Sequence, residues 1–600
     1  MTREQRRVSS SRRVGAAAGG LSGLLAGALT GALLADQDAM AGAAFGASGA
    51  HSGFTLYLLV SVVLGAGFGL VVQYERGTFA ADVSGGLIVG LLRFIVGPLT
   101  LVRLAANGSV RWSLVEAEAA FPELVAGLAF GALTGFGFHV AMGCRRAGGR
   151  SIEDDGETDA PCRVVILGGG FGGVAAAQRL EQIFARSTDV EITMVSPSNY
   201  LLFTPMLAGV ASGTLRAEHI SAPVRAACSR TRFRRAEVEH VEADTRLVRV
   251  CTGDGATEVL PYDHLILALG SVATYRGLPG LQEHAFALKS LEDATRVRDH
   301  VLELLERADG VADSETRRML LTFVVAGGGF AGTEMIAELF DLVRGVLHYY
   351  PGVSESDARF VLVHSGDRIL PELHAGLGDY ARARLEARGI EFMLGKRLAG
   401  ATATMVHLAD GMQIPACTLV WTAGNQPNPV LDHLPFERSG AGAVVTDSSL
   451  RVSGTENVWG VGDCAAVPDP AIEGAFYPPT AQHALREGKA VADNIARVLR
   501  GDEPSAFRFR SLGILVALGH RTAVAEIRGL RFSGFVAWVM WRTIYLGKLP
   551  GIERKLRVSA DWLMDLVFSR DIVVTSTTPT LREILATTPA EPHPDAEVEP

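Results

Sequence analysis

Closely spaced cysteines are missing from this 600-residue sequence. Its six cysteines include no CxxC motif and no other near pair. Zinc ribbons, disulfide scaffolds and dithiol reductases all need neighbouring thiols. The pattern therefore argues against all three classes and predicts reduced, buried cysteines without a metal site. The six are Cys144, Cys162, Cys228, Cys251, Cys417 and Cys464.

An excess of positive charge is also missing. Lys and Arg total 56 against 65 Asp and Glu, which gives a formal net charge of −9. Proteins that bind nucleic acid usually carry a basic balance or a basic patch, so we expect no nucleic-acid partner. The hydrophobic share of 48% is high for a soluble enzyme. Most of that excess lies in residues 1–143.

Four apolar runs account for the excess: Val14–Leu34, Thr55–Val72, Ser84–Val102 and Leu124–Met142. Each is near the roughly 17–25 residues that a helix needs to cross a bilayer, although the third contains Arg93 and Pro98. Glycines recur at four-residue spacing in the first and fourth runs, which lets helix backbones approach closely in lipid. We therefore predict a bundle of four transmembrane helices over residues 1–143.

The arginines predict how this bundle lies in the cell membrane. The N-terminal tail and the segment with Arg145, Arg146 and Arg150 are basic, whereas the first loop has no Lys or Arg. The positive-inside rule then places both ends of the bundle, and the domain that follows, on the cytoplasmic side. A cleaved secretory signal is the competing interpretation, and three further apolar runs argue against it. His51 and His139 fall near opposite faces, so we interpret them as interfacial residues and not as ligands of one haem.

A glycine motif marks the start of an α/β region. Gly168, Gly170 and Gly173 form GxGxxG between a predicted strand and a predicted helix. The first glycine allows a tight turn, the second lets a pyrophosphate approach the backbone, and the third lets helix and strand pack. The amino end of the helix adds partial positive charge. One such motif alone is weak evidence for a dinucleotide site.

The motif occurs a second time. Gly327, Gly329 and Gly332 repeat the same strand–turn–helix pattern. Two units in one chain predict two nucleotides, and the economical pair is FAD and NADH or NADPH. We therefore predict an α/β fold with two Rossmann-like dinucleotide-binding domains, a two-dinucleotide-binding flavoprotein fold. The N-terminal bundle and a C-terminal membrane-anchoring region are added to this core.

Other segments fit around the two motifs. The predicted strands that end at Ala268–Gly270 and at Gly424 finish in small residues, which suits close backbone contact with a cofactor. A third strand ends at Asp463, where flavin folds place a carboxylate that accepts a hydrogen bond from the ribityl chain.

Residues from about Arg163 to Val574 resemble the type II NADH dehydrogenases, the single-subunit NADH:quinone oxidoreductases that do not pump protons. The resemblance rests on four segments and on the aromatic, basic C-terminus. It implies transfer of hydride from NADH or NADPH to FAD, followed by transfer of two electrons to quinone. The segments are Asn199–Leu207, His284–Ala294, Gly332–Glu334 and Pro479–Ala484.

The resemblance also implies roles for individual residues. Thr204 and Pro205 would lie near the flavin ring, and Glu334 would lie beside the nicotinamide as a catalytic residue. Gln482 would act at the flavin–quinone junction, with His483 beside it in the quinone site. The predicted FAD contacts are Gly168, Gly170, Phe171, Gly173, Ser196, Thr204, Pro205, Ala268, Gly270, Asp463, Ala481 and Gln482. The predicted NAD(P)H contacts are Gly327, Gly329, Phe330, Gly332, Glu334, His364 and Gly424.

Three positions depart from the family pattern. The second strand of each nucleotide unit normally ends in an acidic residue that binds a ribose hydroxyl. Ser196 stands there in the first unit and His364, with Arg368 nearby, in the second. Without a carboxylate to repel a 2′-phosphate, both NADH and NADPH remain open as substrates. Arg486 stands where the quinone motif often has a second glutamine.

The chain outside the nucleotide domains predicts membrane contact. Arg531–Arg557 combines aromatic residues with six basic residues and one acid, Glu553, which is typical of a helix in the membrane interface. Quinone and the lipid bilayer are therefore the expected partners, and a homodimer is kept open. The predicted parts are 1–143 (membrane domain), 144–162 (linker), 163–290 and 436–500 (FAD-binding domain), 291–435 (NAD(P)H-binding domain), 501–574 (membrane association) and 575–600 (disordered tail).

Two other functions remain open from the sequence. Sulfide:quinone oxidoreductases share the two-unit plan, but they need a redox-active cysteine pair near the flavin, for which Cys251, Cys417 and Cys464 are the candidates. A flavin-based redox sensor coupled to the membrane bundle is the second alternative. The bundle has no paired intramembrane carboxylates, which argues against transport.

Overall fold

The computed structural model describes residues 3–33, 50–72, 79–96, 121–147, 161–185, 187–511 and 513–574. The chain forms two compact units, one made of the N-terminal helices with residues 550–556, and one that contains the remaining α/β region. Of the predicted linker 144–162, residues 144–147 belong to a helix and Cys162 begins a strand, while residues 148–160 lie outside the described residues, as does the predicted disordered tail at 575–600.

The N-terminal unit contains four helices, α1 (Arg3–Leu33), α2 (Ala50–Val72), α3 (Phe79–Val96) and α4 (Phe121–Ala147). They coincide with the four apolar runs. Glycines form the contact between α1 and α2, because a Cβ at Gly23 would clash with the Ser61 carbonyl and one at Gly65 with the Gly19 carbonyl. Gly86 and Gly131 meet in the same way between α3 and α4. The prediction that small residues allow close helix packing is confirmed.

Only part of the membrane prediction is supported by helix length. Among the described residues, one apolar segment, Glu123–Met142, is long enough to cross a membrane, with a mean hydropathy of 1.7. The apolar stretches Gly15–Thr30, Tyr57–Leu70 and Gly85–Phe94 are shorter. Four membrane-spanning helices therefore stay a prediction. His139 pairs with Asp82, Nδ1 to Oδ2 at 2.7 Å, inside the unit.

The first part of the α/β unit carries the first glycine loop. Its strands are β1 (Cys162–Leu167), β2 (Val190–Ser196), β3 (Tyr200–Leu202), β4 (Ser221–Pro223), β5 (Arg232–Glu242), β6 (Leu247–Thr252), β7 (Thr257–Pro261), β8 (His264–Leu267), β9 (Ser271–Ala273) and β10 (Phe286–Ala287). Its helices are α5 (Phe171–Ile183), α6 (Leu207–Ala211), α7 (Val224–Ala227) and α8 (Leu281–His284).

The second part carries the second glycine loop. Its helices are α9 (Leu291–Asp309), α10 (Ser314–Leu320), α11 (Phe330–Val346) and α12 (Ala375–Glu386). Its strands are β11 (Thr322–Ala326), β12 (Arg359–His364), β13 (Ile390–Leu394), β14 (Leu398–Ala401), β15 (Met405–Leu408), β16 (Gln413–Pro415), β17 (Thr418–Trp421) and β18 (Asn425–Pro427).

The last part returns to the first sheet and then adds a small one. It contains β19 (Val444–Val445), β20 (Val458–Gly460), β21 (Ala465–Ala466), α13 (Ala481–Val498), β22 (Gly513–Ala517), β23 (Ala523–Ile527), β24 (Leu530–Ser533), α14 (Gly534–Lys548) and α15 (Ile552–Val567). Strands β22, β23 and β24 form an antiparallel sheet. The aromatic and basic composition of Arg531–Arg557 predicted only an interfacial helix near this region.

Two larger sheets carry the glycine loops. The first has the order β20-β8-β1-β2-β5-β6-β7, and the second has the order β10-β17-β11-β12-β13. Strands β20, β8, β1, β2 and β5 pair in parallel, and so do all five strands of the second sheet. Since β20 follows the second sheet in the chain, the first domain is assembled from two separate segments. The α/β fold class is confirmed.

The largest hydrophobic core joins the C-terminal segment to the nucleotide domains. Helix α11 contributes Met335, Ile336 and Leu339, and the small sheet contributes Val516 and Val524, all fully buried. The C-terminal sheet is thus part of the core and holds the wall of the candidate site in place.

Candidate active site

The first glycine loop fits a dinucleotide. Gly168 has a φ of +117°, which L side chains rarely adopt, and a Cβ there would clash with the carbonyl oxygen of Ala268. A Cβ at Gly173 would clash with the carbonyl of Gly168. A Cβ at Gly170 would meet nothing within 4 Å, and no side chain caps α5. Open space in front of free backbone N–H groups suits a pyrophosphate.

The second glycine loop has nearly the same geometry. Gly327 also has a φ of +117°, and its N–H donates to the Val363 carbonyl at 2.8 Å. A Cβ at Gly332 would clash with the Gly327 carbonyl, whereas one at Gly329 would meet nothing within 4 Å. No side chain caps α11. The chain therefore presents two equivalent sites for a dinucleotide phosphate.

The second strand of each unit ends beside the middle glycine of its loop. A Cβ on Gly169 would lie 3.0 Å from Ser196 Oγ. His364 Nδ1 accepts a hydrogen bond from the Gly328 N–H at 3.1 Å. Burial lowers the pKa of His364, so the ring is neutral at neutral pH. Neither position presents the carboxylate that commonly binds a ribose hydroxyl.

A chain of polar groups follows strand β20. Asp463 Oδ2 accepts a hydrogen bond from Ser271 Oγ at 2.6 Å, and Lys289 Nζ donates to the same Ser271 oxygen at 3.0 Å. Burial lowers the pKa of Lys289. Asp463 is therefore a positioned acceptor at the carboxyl end of the first sheet.

Glu487, a buried residue of α13, holds the turn that contains Asp463. Glu487 Oε2 accepts a hydrogen bond from the Gly462 N–H at 2.7 Å. Burial raises the pKa of Glu487 to about 7. The carboxyl group fixes the backbone immediately before Asp463.

The other predicted cofactor contacts lie at strand ends and helix starts. Ala268 and Gly270 follow β8, and Gly424 follows β17. Thr204 and Pro205 form a turn before α6. The residues that begin α5, α11 and α13 are Phe171, Phe330 and Ala481.

A cavity of about 600 Å³ opens next to the turn formed by Thr204 and Pro205. Pro205 and Met206 line one side, and the aromatic side chains of α14 and α15 line another. The Arg542 guanidinium lies 4.1 Å from the centre of the Trp538 ring and 4.7 Å from that of Trp562. The cavity combines apolar walls with charged groups, as binding sites for small molecules usually do.

Glu334 lies in the first turns of α11 and lines this cavity. Its Oε1 accepts a hydrogen bond from the Ala517 N–H at 3.0 Å. Burial raises the pKa of Glu334 to about 8, and the Ala517 and Trp541 donors oppose the rise. The carboxyl group is therefore mostly protonated at neutral pH and can deliver a proton.

The predicted quinone residues lie at the amino end of α13. Gln482 Nε2 donates to the Gly513 carbonyl at 2.8 Å, and Arg486 Nη1 donates to the Gln482 carbonyl at 2.9 Å. His483 is buried between the rings of Tyr477 and Phe509, and its Nδ1 lies 2.7 Å from Thr480 Oγ1. These contacts give His483 a role in holding the start of α13.

Cys162, Cys251, Cys417 and Cys464 form no disulfide bond within the described residues. Burial is the main cause that raises the pKa of Cys162, Cys417 and Cys464 to about 11, so these thiols stay protonated. The Cys464 thiol donates to the Leu267 carbonyl at 3.4 Å. In the described part of the chain, no cluster of His, Cys, Asp or Glu could hold a metal ion.

Sequence reasoning missed several polar groups of the site. Charged residues in helices are usually solvated, so nothing in the local pattern singled out Glu338 or Glu487. Lys289 stands within a family segment, but its contact with Ser271 depends on the folded chain. The Trp541 indole lines the cavity because of the way α14 packs against β22, which no local sequence pattern indicates. The four are Lys289, Glu338, Glu487 and Trp541.

Comparison with known proteins agrees with this geometry. The family model for pyridine nucleotide-disulphide oxidoreductases matches residues 162–488, and that for the NDH2 C-terminal domain matches residues 512–571. The type II NADH:quinone oxidoreductase Ndh of Mycobacterium tuberculosis is 32% identical over 423 residues, 68% of this chain and 89% of the relative. A probable NADH dehydrogenase of Dictyostelium discoideum is 31% identical over 436 residues, 71% of this chain and 93% of the relative.

A solved structure shares the fold. NDH2 from Plasmodium falciparum in complex with NADH aligns with a TM-score of 0.64 and 18% identity, covering 68% of this chain and 99% of that one. The sulfide:quinone oxidoreductase of Aquifex aeolicus aligns with a TM-score of 0.53 and 19% identity. Family models and relatives agree with the motifs, and the chain therefore belongs to the type II NADH dehydrogenase family.

Proposed function

We propose that the chain is an FAD-dependent NADH:quinone oxidoreductase that does not pump protons. The observation that carries this proposal is the pair of matching glycine loops on two sheets, with Glu334 beside a cavity shortly after the second loop. The named activities of the relatives support it. FAD, when bound, supplies a two-electron carrier between the nicotinamide and the quinone.

The chain's own residues bind and orient the flavin nucleotide. The N–H groups at the start of α5, in front of Gly170, would hold the pyrophosphate, and Ser196 Oγ would hydrogen-bond the adenosine ribose. Asp463 would accept a hydrogen bond from a ribityl hydroxyl, and Thr204 and Pro205 would form a wall beside the flavin ring. The fit rests on the open space at Gly170 and on the fixed Asp463 carboxylate.

The second loop orients the reduced nicotinamide nucleotide. The start of α11 holds its pyrophosphate, and Glu334 positions the nicotinamide and exchanges a proton. NADH is the proposed substrate, and NADPH is accepted as well because His364 brings no negative charge to the ribose. The neutral His364 ring accepts a hydrogen bond from the Gly328 N–H.

Quinone is proposed to approach at the amino end of α13. Gln482 lies there, and its carbonyl accepts a hydrogen bond from Arg486. The charge of Arg486 also lowers the pKa of Lys548, after the larger effect of burial. A carbonyl oxygen that gains negative character during reduction would be stabilised by these donors. His483 holds the helix start through Thr480.

Membrane attachment is proposed for two regions. Helices α14 and α15, with the residue that follows α15, expose large apolar side chains that suit the interface of a bilayer. These are Phe535, Val536, Leu563, Val567 and Phe568. The four N-terminal helices are proposed to span the cell membrane with both ends in the cytoplasm. A homodimer stays a prediction, which sedimentation of the detergent-solubilised protein tests.

The sulfide:quinone alternative receives less support. That chemistry needs a thiolate pair beside the flavin, and the pKa values of Cys417 and Cys464 are raised to about 11 by burial. A redox sensor is distinguished by rate, because a sensor needs no rapid turnover.

The test is steady-state oxidation of NADH with a short-chain quinone by the purified protein and by the Gly170→Val variant. The valine occupies the space proposed for the pyrophosphate, so we expect loss of bound FAD and of turnover with an unchanged circular dichroism spectrum. Gly253→Val is the matched control, since a Cβ there also meets nothing within 4 Å. Full FAD content in Gly170→Val, or no turnover by the wild type, would contradict the proposal.

A further inference from the structure

Three carboxylates follow one another along a single face of α11. Glu334, Glu338 and Asp341 stand at positions i, i+4 and i+7, and all three line the same cavity of about 600 Å³. On a helix, side chains separated by four residues start only about 5–6 Å apart. The cavity is thus bordered by a row of acidic groups that leads away from the nicotinamide side of the proposed active site.

Glu338 is held in place by three donors from other parts of the chain. Its Oε2 accepts hydrogen bonds from Ser212 Oγ at 2.6 Å and Thr214 Oγ1 at 3.3 Å, and it lies 3.5 Å from Arg570 Nη2. Its side chain keeps 16% exposure, although it stands in the middle of a helix packed on both sides. The cavity that it lines accounts for that exposure.

The charged groups that face Glu338 come from three elements. Asp341 stands on its own helix, Arg570 and Asp565 belong to the C-terminal segment, and Arg542 belongs to α14. Burial raises the pKa of Glu338, while Arg570 opposes the rise. Glu338 therefore stands between burial, which favours its protonated form, and the Ser212 and Arg570 donors, which favour its ionised form.

The cavity is large and polar enough to hold water. Its volume is about 600 Å³, and its lining includes Glu334, Glu338, Asp341 and Arg542. The Trp541 indole, which is 8% exposed, lies beside Glu334 and acts as a donor to its carboxylate. A site with this room and these polar groups suits water molecules that bridge the carboxylates.

The proposed reaction needs a proton at this place. NADH, one proton and quinone give NAD⁺ and quinol. Hydride carries two electrons and one hydrogen to the quinone side, and the second hydrogen of the quinol must enter as a proton from bulk water. The cavity next to Glu334 offers a route for this proton.

We propose that Glu338 is a positioning residue that passes protons between the outer part of this cavity and Glu334. The proton moves from water near Asp341 and Asp565 to Glu338, then through cavity water to the Glu334 carboxylate, which each cycle leaves unprotonated. No electron moves in these steps, and each carboxyl group returns to its starting state. This proposal rests on the proposed function and extends it to a residue that only acts through Glu334.

The test compares wild type with Glu338→Gln, which keeps size and hydrogen bonding but cannot exchange a proton. We expect kcat to fall by about tenfold, with KM for NADH unchanged and a larger solvent deuterium effect. The alkaline fall in kcat should begin at lower pH. Glu338→Asp should recover part of the rate, and Ser212→Ala should give a milder form of the same defect. Glu306→Gln, at a carboxyl that accepts from the Tyr350 hydroxyl outside the cavity, is the control.

A second readout separates this proposal from the proposed function. The protonated carboxyl band in the infrared spectrum reports the titration of Glu334 without turnover. Because the charge of Glu338 raises the pKa of Glu334, Glu338→Gln should move that titration to lower pH. An unchanged infrared titration, or an unchanged pH profile and isotope effect, would overturn the relay. Absence of turnover in the wild type would instead overturn the function, and the infrared result would still decide the coupling.

Discussion

At the scale of single residues, Glu334 occupies a place where a carboxyl group is costly to ionise. It receives the Ala517 N–H, yet burial still raises its pKa to about 8 from an ordinary value of 4.5. Between these two values the folded protein holds a proton that the unfolded chain has released. The stability of the fold therefore falls as the pH rises through this window.

Replacement of Glu334 by glutamine should remove that dependence. We expect the free energy of unfolding of wild type, measured in urea, to fall between about pH 5 and about pH 8. That of Glu334→Gln should fall less, by a difference of up to a few kcal/mol. In activity, the variant should lose the part of the pH profile that follows titration near pH 8. Equal slopes for both proteins would show that the carboxyl is ionised in the folded state.

The end of β12 should control nucleotide choice. His364→Asp places a negative charge where a 2′-phosphate would lie, so kcat/KM for NADPH should fall at least about tenfold, while that for NADH is retained or rises. His364→Asn is the matched control, because it keeps an acceptor for the Gly328 N–H without adding charge. A parallel loss with both nucleotides would mean that the position acts on the loop and not on the phosphate.

The residues of the glycine loops were predictable because steric rules leave few alternatives. Gly168 and Gly327 need a φ that other residues avoid, and Gly173 and Gly332 leave no room for a Cβ. Glu338 was not predictable, since its partners Ser212 and Arg570 lie 126 and 232 residues away along the chain. Local pattern carries no information about such contacts.

At the scale of elements, the C-terminal segment combines two tasks. Its sheet supplies the Ala517 N–H to Glu334, while its helices expose large apolar residues. The sequence suggested an interfacial helix from aromatic and basic content, and helices α14 and α15 are present. Strands β22 to β24 were missed because they are only five, five and four residues long, which is too short for a clear alternating pattern.

The exposed apolar residues of α15 and the segment after it should mediate vesicle binding. Val567 and Phe568 are 68% and 65% exposed, so Val567→Ser with Phe568→Ser should weaken binding to anionic phospholipid vesicles by about tenfold or more. Ile472→Ser changes an equally exposed residue, 61%, in the flavin domain and serves as the control. Equal co-sedimentation of both variants with vesicles would contradict attachment through this face.

At the scale of the whole molecule, the chain contains an α/β unit and a second unit of four helices that pack through glycines. All the residues proposed for the active site belong to the α/β unit. The sequence predicted the positions of the four helices because apolar runs and glycine spacing are local signals. The sequence predicted four membrane spans, and among the described segments Glu123–Met142 alone has the required length and hydropathy.

The glycine contacts allow the two units to be perturbed separately. Gly65→Leu would drive a side chain into the backbone of α1, so we expect early thermal loss of helical signal in detergent with an unchanged flavin spectrum. Gly67→Leu is the matched control on the same helix, because a Cβ there meets nothing within 4 Å. Equal melting of the two variants would contradict the close packing of α1 on α2.

The most direct test of the central claim is an anaerobic flavin spectrum of the purified full-length protein. We predict that NADH bleaches the bound flavin within the time of one turnover and that a short-chain quinone restores its colour. NADPH should bleach it too, and sulfide should not. Bleaching by sulfide without bleaching by NADH would contradict the assignment and favour the sulfide reaction.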